Sequence, residues 1–137
     1  MRIFRTESRV YFSDTDATGR ASWKGIFDWA EHGRTEMLRS ANPGHLQSEL
    51  ASGDGILTVI KAIDSRKVSD AHLDDKVIVE TWMERIQRFS CTLGQRISTE
   101  RGTVAEFSVK AAFIDRDTKH PVMVPDDFRK ALEDDVV

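Results

Sequence analysis

Two aspartates two residues apart, Asp14 and Asp16, followed by Gly19 and Ser22, are the residues of this chain best placed to do chemistry. They stand in a short acidic loop, residues 14–19, between an apolar run ending at Phe12 and the longest helical pattern in the sequence. A loop carboxylate can attack a carbonyl carbon as a nucleophile or activate water as a general base. The first amides of the following helix have no intrahelical partner and carry a partial positive charge. Asp16 before that terminus is a carboxylate facing a ready-made oxyanion site, a reaction centre in outline. A plainer reading stands beside it, because Asp is common in turns and before helices. Residues two apart in an extended loop point the same way, so Asp14 competes for the site. Asp14 is preferred as a structural or turn carboxylate, and for Asp16 the spacing alone leaves the reactive and the plain turn readings both open.

The elements that must hold this loop follow from periodicity. Residues 2–13 read as a strand, with Val10 and Phe12 on one side and Arg9 and Tyr11 on the other. Gly19 can take a positive φ before the helix. Residues 22–40 read as one helix with Ser22 as N-cap, stopped by Asn42-Pro43-Gly44. Its buried stripe is Trp23, Ile26, Phe27, Ala30, Met37 and Leu38, and Gly33 faces a sheet where little room exists. A shorter helix is expected at 46–51.

The period then changes to two. Residues 56–63 read as a largely buried strand, 68–75 as a polar loop, and 76–84 as a strand with Val77, Val79 and Thr81 on one face. Phe89, Cys91, Leu93 and Ile97 alternate with polar or small residues, and 100–103 is a hairpin signal. Ala105, Phe107, Val109, Ala111 and Phe113 alternate in turn, and Pro125 opens a short helix over 126–132. Sequential strands with short links favour antiparallel pairing. A single long helix with a wide apolar stripe needs a sheet to cover it. The expectation is an α+β domain spanning 1–137, a curved antiparallel sheet wrapped round one long central helix.

Composition narrows the function. The 137 residues carry a net charge of −3, with 39% hydrophobic and 31% charged side chains, so nothing suggests nucleic acid or an anionic membrane as partner. No apolar run is long enough to span a bilayer, and the Met1-Arg2-Ile3-Phe4-Arg5 start lacks a signal-peptide core. A single cysteine, Cys91, cannot pair within the chain and reads as a small core residue. A cytoplasmic home is the expectation. His45, His72 and His120 have no ligand spacing, and neither a nucleophile elbow nor a phosphate-cradling glycine loop is present. No metal or organic cofactor is expected.

Asp-Thr-Asp-Ala-x-Gly after a strand, then a long helix carrying Arg-Thr-Glu-Met-Leu, resembles the hotdog-fold acyl-CoA thioesterases of the 4-hydroxybenzoyl-CoA thioesterase family. His72-Leu73-Asp74-Asp75, Arg88-Phe89-Ser90 and the stretch from Pro121 to Pro125 resemble later parts of the same pattern, so the likeness covers nearly the whole chain. The resemblance implies that Asp16 is the catalytic carboxylate and that the oxyanion donor is the backbone N–H near Trp23. It implies contacts to substrate from Gly19, Trp23, Glu31, Arg88 and Ser90. Glu31 would meet the acyl group, or be a solvated surface charge. Arg88 would meet coenzyme A phosphates, or be an exposed strand-end arginine. The resemblance also implies a homo-oligomer, a dimer or tetramer, with acyl-CoA as substrate. Ser22-Trp23-Lys24-Gly25-Ile26 departs from the Tyr-His or Tyr-x-Asn-Tyr usual at that helix start, so the acyl specificity does not carry over. One rival is a hotdog hydratase or dehydratase, whose chemistry wants a histidine that this loop lacks. The other is a non-catalytic acyl-CoA-binding module, in which a buried carboxylate would cost free energy without a task.

Overall fold

The computed structural model describes residues 1–43 and 55–136, so the helix expected at 46–51 lies outside the described residues. Among the described residues, six strands and two α-helices follow in the order β1 (Phe4–Arg9), α1 (Trp23–Ala41), β2 (Ile56–Lys67), β3 (Lys76–Ile86), β4 (Ser90–Thr99), β5 (Gly102–Asp115), β6 (Pro121–Val122) and α2 (Asp126–Leu132). The sheet is antiparallel throughout, in the order β1-β3-β4-β5-β2, with β6 added to β5. Register shifts fall between Ile60 and Ala62, Met83 and Arg85, and Ile97 and Ser98. Such bulges add twist and bend the strands. The curved sheet wraps one 19-residue helix, the α+β hotdog arrangement that the sequence leads one to expect.

Alternation builds the inner face. Val77, Val79, Thr81 and Met83 on β3, Cys91, Leu93, Gln95 and Ile97 on β4, and the odd positions from Ala105 to Phe113 on β5 are all buried. The helix lays Ile26, Trp29, Ala30, Gly33 and Met37 on this face, the i, i+3, i+4 spacing of a helical stripe. Ser22 caps it: its Oγ accepts the Gly25 N–H at 3.2 Å. At Gly33 helix and sheet meet without a spacer. A Cβ there would sit 2.6 Å from Val79 Cγ1 and 2.9 Å from Thr81 Oγ1.

Several expectations are corrected. Trp29, 2% exposed, replaces Trp23 in the stripe; Trp23 is 42% exposed because it occupies the first helical position, beyond the sheet. The first strand ends at Arg9, and Phe12 turns outward in a 3-10 turn, Phe12–Asp14, rather than joining Val10 inside. Strand β2 runs on to Lys67 and none of its residues is buried, because it is the edge of the sheet with one face uncovered. Phe89 precedes β4 and is exposed.

The contact at Gly33 yields a prediction. Alanine is favoured over glycine in a helix by about 1 kcal/mol. Here the added methyl meets the stiff branched side chain of Val79, and overpacking of this kind costs about 1–3 kcal/mol. Gly33→Ala is expected to lower the urea midpoint of unfolding despite its better helix propensity.

Candidate active site

The acidic loop is a small hairpin. Thr15 and Ala21 form a bridge, the Asp16 N–H donates to the Arg20 carbonyl at 2.8 Å, and the Gly19 N–H donates to the Asp16 carbonyl at 3.1 Å. Gly19 closes the turn at φ +78°, a conformation in which a Cβ would be strained. Asp16 stands at the first turn position, where a carboxylate can bond to amides further along. Its Oδ1 accepts the Thr18 N–H at 2.8 Å, the Thr18 hydroxyl at 2.6 Å and the Arg20 N–H at 3.3 Å. Among the described residues Oδ2 accepts nothing. The Thr18 hydroxyl, then the Thr18 amide, hold the Asp16 carboxyl below the usual carboxylate range. Asp16 is thus ionised and orientated through one oxygen, with the other open.

Neighbouring chain fixes the loop. The Ala21 N–H donates to the Ala71 carbonyl at 2.8 Å, and the Leu73 N–H donates to the Gly19 carbonyl at 3.1 Å. Both polar backbone atoms of Gly19 are therefore committed, so a ligand would meet only its Cα. Asp14 has a structural task. Its Oδ2 accepts the Tyr11 N–H at 2.9 Å, and its carbonyl accepts the Ser22 N–H at 2.7 Å and the Ser22 hydroxyl at 3.1 Å. Gly25 lets the loop press on the helix, since a Cβ there would lie 2.9 Å from the Asp14 carbonyl oxygen. The Trp23 and Lys24 amides, the first of the helix, have no acceptor among the described residues. Trp23 packs against Phe27 with ring centroids 5.6 Å apart and planes tilted by 43°, and Phe27 meets Phe107 edge-on at 5.4 Å.

Not all the expected residues gather here. Asp16 is exposed, so the desolvation argument against a mere binding module loses its force in the single chain. Arg88 and Ser90 lie at the other end of β3, an 11-residue strand, on the order of 30 Å away from the loop. There the Ser90 hydroxyl donates to Gln87 Oε1 at 3.2 Å, and the Arg88 guanidinium lies 5.6 Å from the centre of the Phe89 ring. Glu31 lines a cleft of about 330 Å³ between α1 and the sheet, with Met37, Leu38, Leu93, Phe113 and Phe128; Asp16, Gly19 and Trp23 do not line it. Its Oε1 accepts the Thr35 hydroxyl at 2.8 Å.

Three contributors escaped the sequence reading. Thr18 was legible as Asp-x-Thr, the spacing of an Asp whose carboxylate bonds two residues on. Gln95 was the polar member of an otherwise apolar inner row, Cys91-Leu93-Gln95-Ile97. Its Nε2 donates to the Ala30 carbonyl at 2.7 Å and to Thr81 Oγ1 at 3.0 Å, and its Oε1 accepts Arg34 Nη1 at 3.0 Å. Gly25 gave no signal, because only the fold brings Asp14 against it. Among the described residues no group of His, Cys, Asp and Glu could hold a metal ion, and no helix is long and apolar enough to cross a membrane.

Cys91 also borders the cleft, and burial pushes its thiol up to about 12. A thiol so seldom ionised is a poor nucleophile. The native chain is expected to resist iodoacetamide at pH 8, on the order of a hundredfold slower than the chain in guanidinium, read by mass spectrometry.

Known proteins give this geometry a context. The chain is 29% identical over 124 residues to a Haemophilus influenzae protein named acyl-CoA thioesterase YbgC, covering 90% of each. Its fold matches the dynemicin thioesterase with a TM-score of 0.88 at 21% identity, over 99% of both chains. It also matches Slr0204 from Synechocystis, a 1,4-dihydroxy-2-naphthoyl-CoA thioesterase, with a TM-score of 0.84 at 19% identity, over 97% of both chains. The model of the thioesterase-like superfamily fits residues 10–132, a span that holds the loop, α1 and every strand but β1, and this chain belongs to that superfamily.

Proposed function

We propose that the protein hydrolyses an acyl-CoA thioester to a free acid and coenzyme A, with Asp16 as the carboxylate that acts on the carbonyl carbon. The observation that carries this reading is the division of labour at Asp16. Three donors hold Oδ1, and Oδ2 is left without a donor among the described residues. The name of the Haemophilus relative supports the substrate class.

The chemistry has two routes. In the first, Oδ2 attacks the thioester carbon, the thiolate of coenzyme A leaves, and water hydrolyses the mixed anhydride to regenerate Asp16. In the second, Asp16 takes a proton from a water that attacks directly. A base works best when its pKa lies near the working pH. Hydrogen bonding lowers the Asp16 pKa and so weakens it as a base, while Oδ2, without a donor among the described residues, is open to attack carbon directly; the first route follows from that open oxygen. The Trp23 and Lys24 amides would hold the developing oxyanion, each donor worth about 3 kcal/mol in comparable sites. Glu31 would border the acyl group. Gly19 and Trp23 would shape the entrance. Arg88 and Ser90, at the other end of the strand, could serve the coenzyme only from a second copy. No metal or organic cofactor enters either route.

A second copy is part of the reading. Among the described residues no strand pairs with the edge of β2 that faces away from β5, and Ile60 on that strand is 45% exposed. An edge of this kind is a template for pairing with another chain. Pairing of two β2 edges about a twofold axis would give the homodimer, and two dimers a tetramer.

The deciding experiment is thiol release from acyl-CoA by wild type, Asp16→Asn and Asp14→Asn. Asp16→Asn is expected to lower kcat by about 100-fold or more, the scale of a lost acid–base group. Asp14→Asn keeps an oxygen to accept the Tyr11 N–H and is expected to cost far less. Loss on Asp14→Asn alone would reassign the carboxylate. Retained binding with no turnover in wild type would point to a binding module.

Asp16 must be ionised to act, so activity should fall as pH drops through its pKa. Thr18→Val removes the strongest donor to Oδ1 and raises that pKa. The acid limb of the kcat/KM profile is expected to move to higher pH.

For assembly, light scattering at micromolar concentration is expected to report a dimer or tetramer. Ile60→Lys should shift it toward monomer, since a charge on an edge strand opposes pairing. A wild-type monomer with full activity would contradict the shared assembly.

A further inference from the structure

Arg34 is the feature of the cleft that the hydrolytic reading does not use. The cleft is mostly apolar, walled by Met37, Leu38, Leu93, Phe113 and Phe128, with Thr35 and Thr58 as polar members and Arg34 and Glu31 as charged ones. The Arg34 side chain is half-buried. A guanidinium carries five N–H donors. One of them, on Nη1, donates to Gln95 Oε1 at 3.0 Å, and among the described residues no carboxylate forms an ion pair with Arg34. Gln95 is itself only 1% exposed and fastened to the Ala30 carbonyl and Thr81, so the acceptor that orientates Arg34 cannot swing away. Glu31 acts on Arg34 through its charge but forms no ion pair with it, and its Oε1 accepts the Thr35 hydroxyl along the helix. Burial lowers the Arg34 pKa, with Glu31 opposing, as expected of a cation incompletely compensated by its surroundings.

A preorganised, partly desolvated guanidinium with spare donors is a receptor for a carboxylate. Arg34 pinned by Gln95 in the apolar cleft is such a receptor, and we propose that it makes the enzyme selective for acyl groups that carry a second carboxylate at their far end. The substrate class is the mono-CoA thioester of a short dicarboxylic acid. The apolar walls take the methylene chain and Arg34 takes the free carboxylate. A cleft of about 330 Å³ lies at the small end of ligand sites, which suits a compact chain rather than a long lipid tail. The proposal rests on the thioesterase reading above in its two-copy form and adds its acyl specificity: Asp16 does not line this cleft, and Trp23 and Arg34 stand about 16 Å apart along α1, so the reacting carboxylate at the mouth of the cleft is Asp16 of the second copy.

The test compares matched pairs, adipoyl-CoA with hexanoyl-CoA and suberoyl-CoA with octanoyl-CoA, in wild type, Arg34→Met and Arg34→Lys. Two readouts are taken: kcat/KM by thiol release, and Kd for the non-hydrolysable thioether analogues of the same pairs by calorimetry. Wild type is expected to prefer the carboxylate-ended member by about 10-fold to 100-fold in both, the scale of a charge-assisted hydrogen bond. Arg34→Met should abolish the preference while kcat/KM on octanoyl-CoA stays within about threefold. Arg34→Lys should keep part of it, because the charge remains and the fork is lost. Equal affinity of wild type for both members overturns the proposal. So does an Arg34→Met variant that weakens both members alike and keeps the preference, which would make Arg34 a packing residue. If the thioethers show the preference and no thioester is turned over, the hydrolytic reading fails and the carboxylate subsite stands.

Discussion

The constraint on which the rest of this structure depends is the close approach of α1 to the sheet at Gly33. Everything with a chemical task hangs from that helix: the loop at its start, the cleft along its flank. Because Gly33 has no side chain, the helix backbone comes near enough for Gln95, rising from β4, to reach the Ala30 carbonyl. That carbonyl already belongs to a helical turn, so the amide adds a second donor to it. The result is a polar crossbar between two apolar clusters. One surrounds Ile26, Trp29 and Val79 near the loop; the other surrounds Met37, Met83 and Phe113 near α2. Hydrophobic burial supplies the bulk of the stabilisation but has no direction. The crossbar fixes which helical turn sits over which strand residue.

The loop obeys a different economy. Its conformation is closed by backbone bonds and by Gly19, and Asp16 contributes to the turn through one oxygen. In the proposed reaction, structural and chemical duties fall on two atoms of one carboxylate. Ordinarily a turn aspartate and a reactive one would be rival interpretations. Here the bonds that define the turn also set the charge and the aim of the group.

Much of this was legible in the residues. Alternation gave β3, β4 and β5 with their inner faces, and the Ser22 cap and the 3.6 period gave α1, because these signals are local. What escaped was decided by packing between distant segments. Trp23 and Trp29 have the same apolar character, and only the position of the sheet buries one and leaves the other at the rim. Residues 56–63 read as buried because apolar runs usually are; their exposure follows from β2 taking the edge, a fact of topology. Arg88 and Ser90 resembled site residues by motif, yet strand length carries them to the opposite end of the sheet. At the centre of the site, Asp16 and Gly19 were readable. Gly25 was not, since its reason lies in the Asp14 carbonyl pressed against it.

Strand order has a consequence for how the chain comes into being. β3, β4 and β5 are neighbours both in sequence and in the sheet, so they can pair through short loop closures. β2 is made before them but pairs with β5, and Ile56 waits for Asp115, its partner across the ladder. During synthesis β2 therefore emerges with neither edge satisfied, and its apolar residues stay uncovered until the last long strand has left the ribosome. The meander β3-β4-β5 is the natural nucleus, and β1 and β2 are later additions on its two flanks. The strand that ends at the rim of the finished sheet is also the one with the longest exposure on the way there.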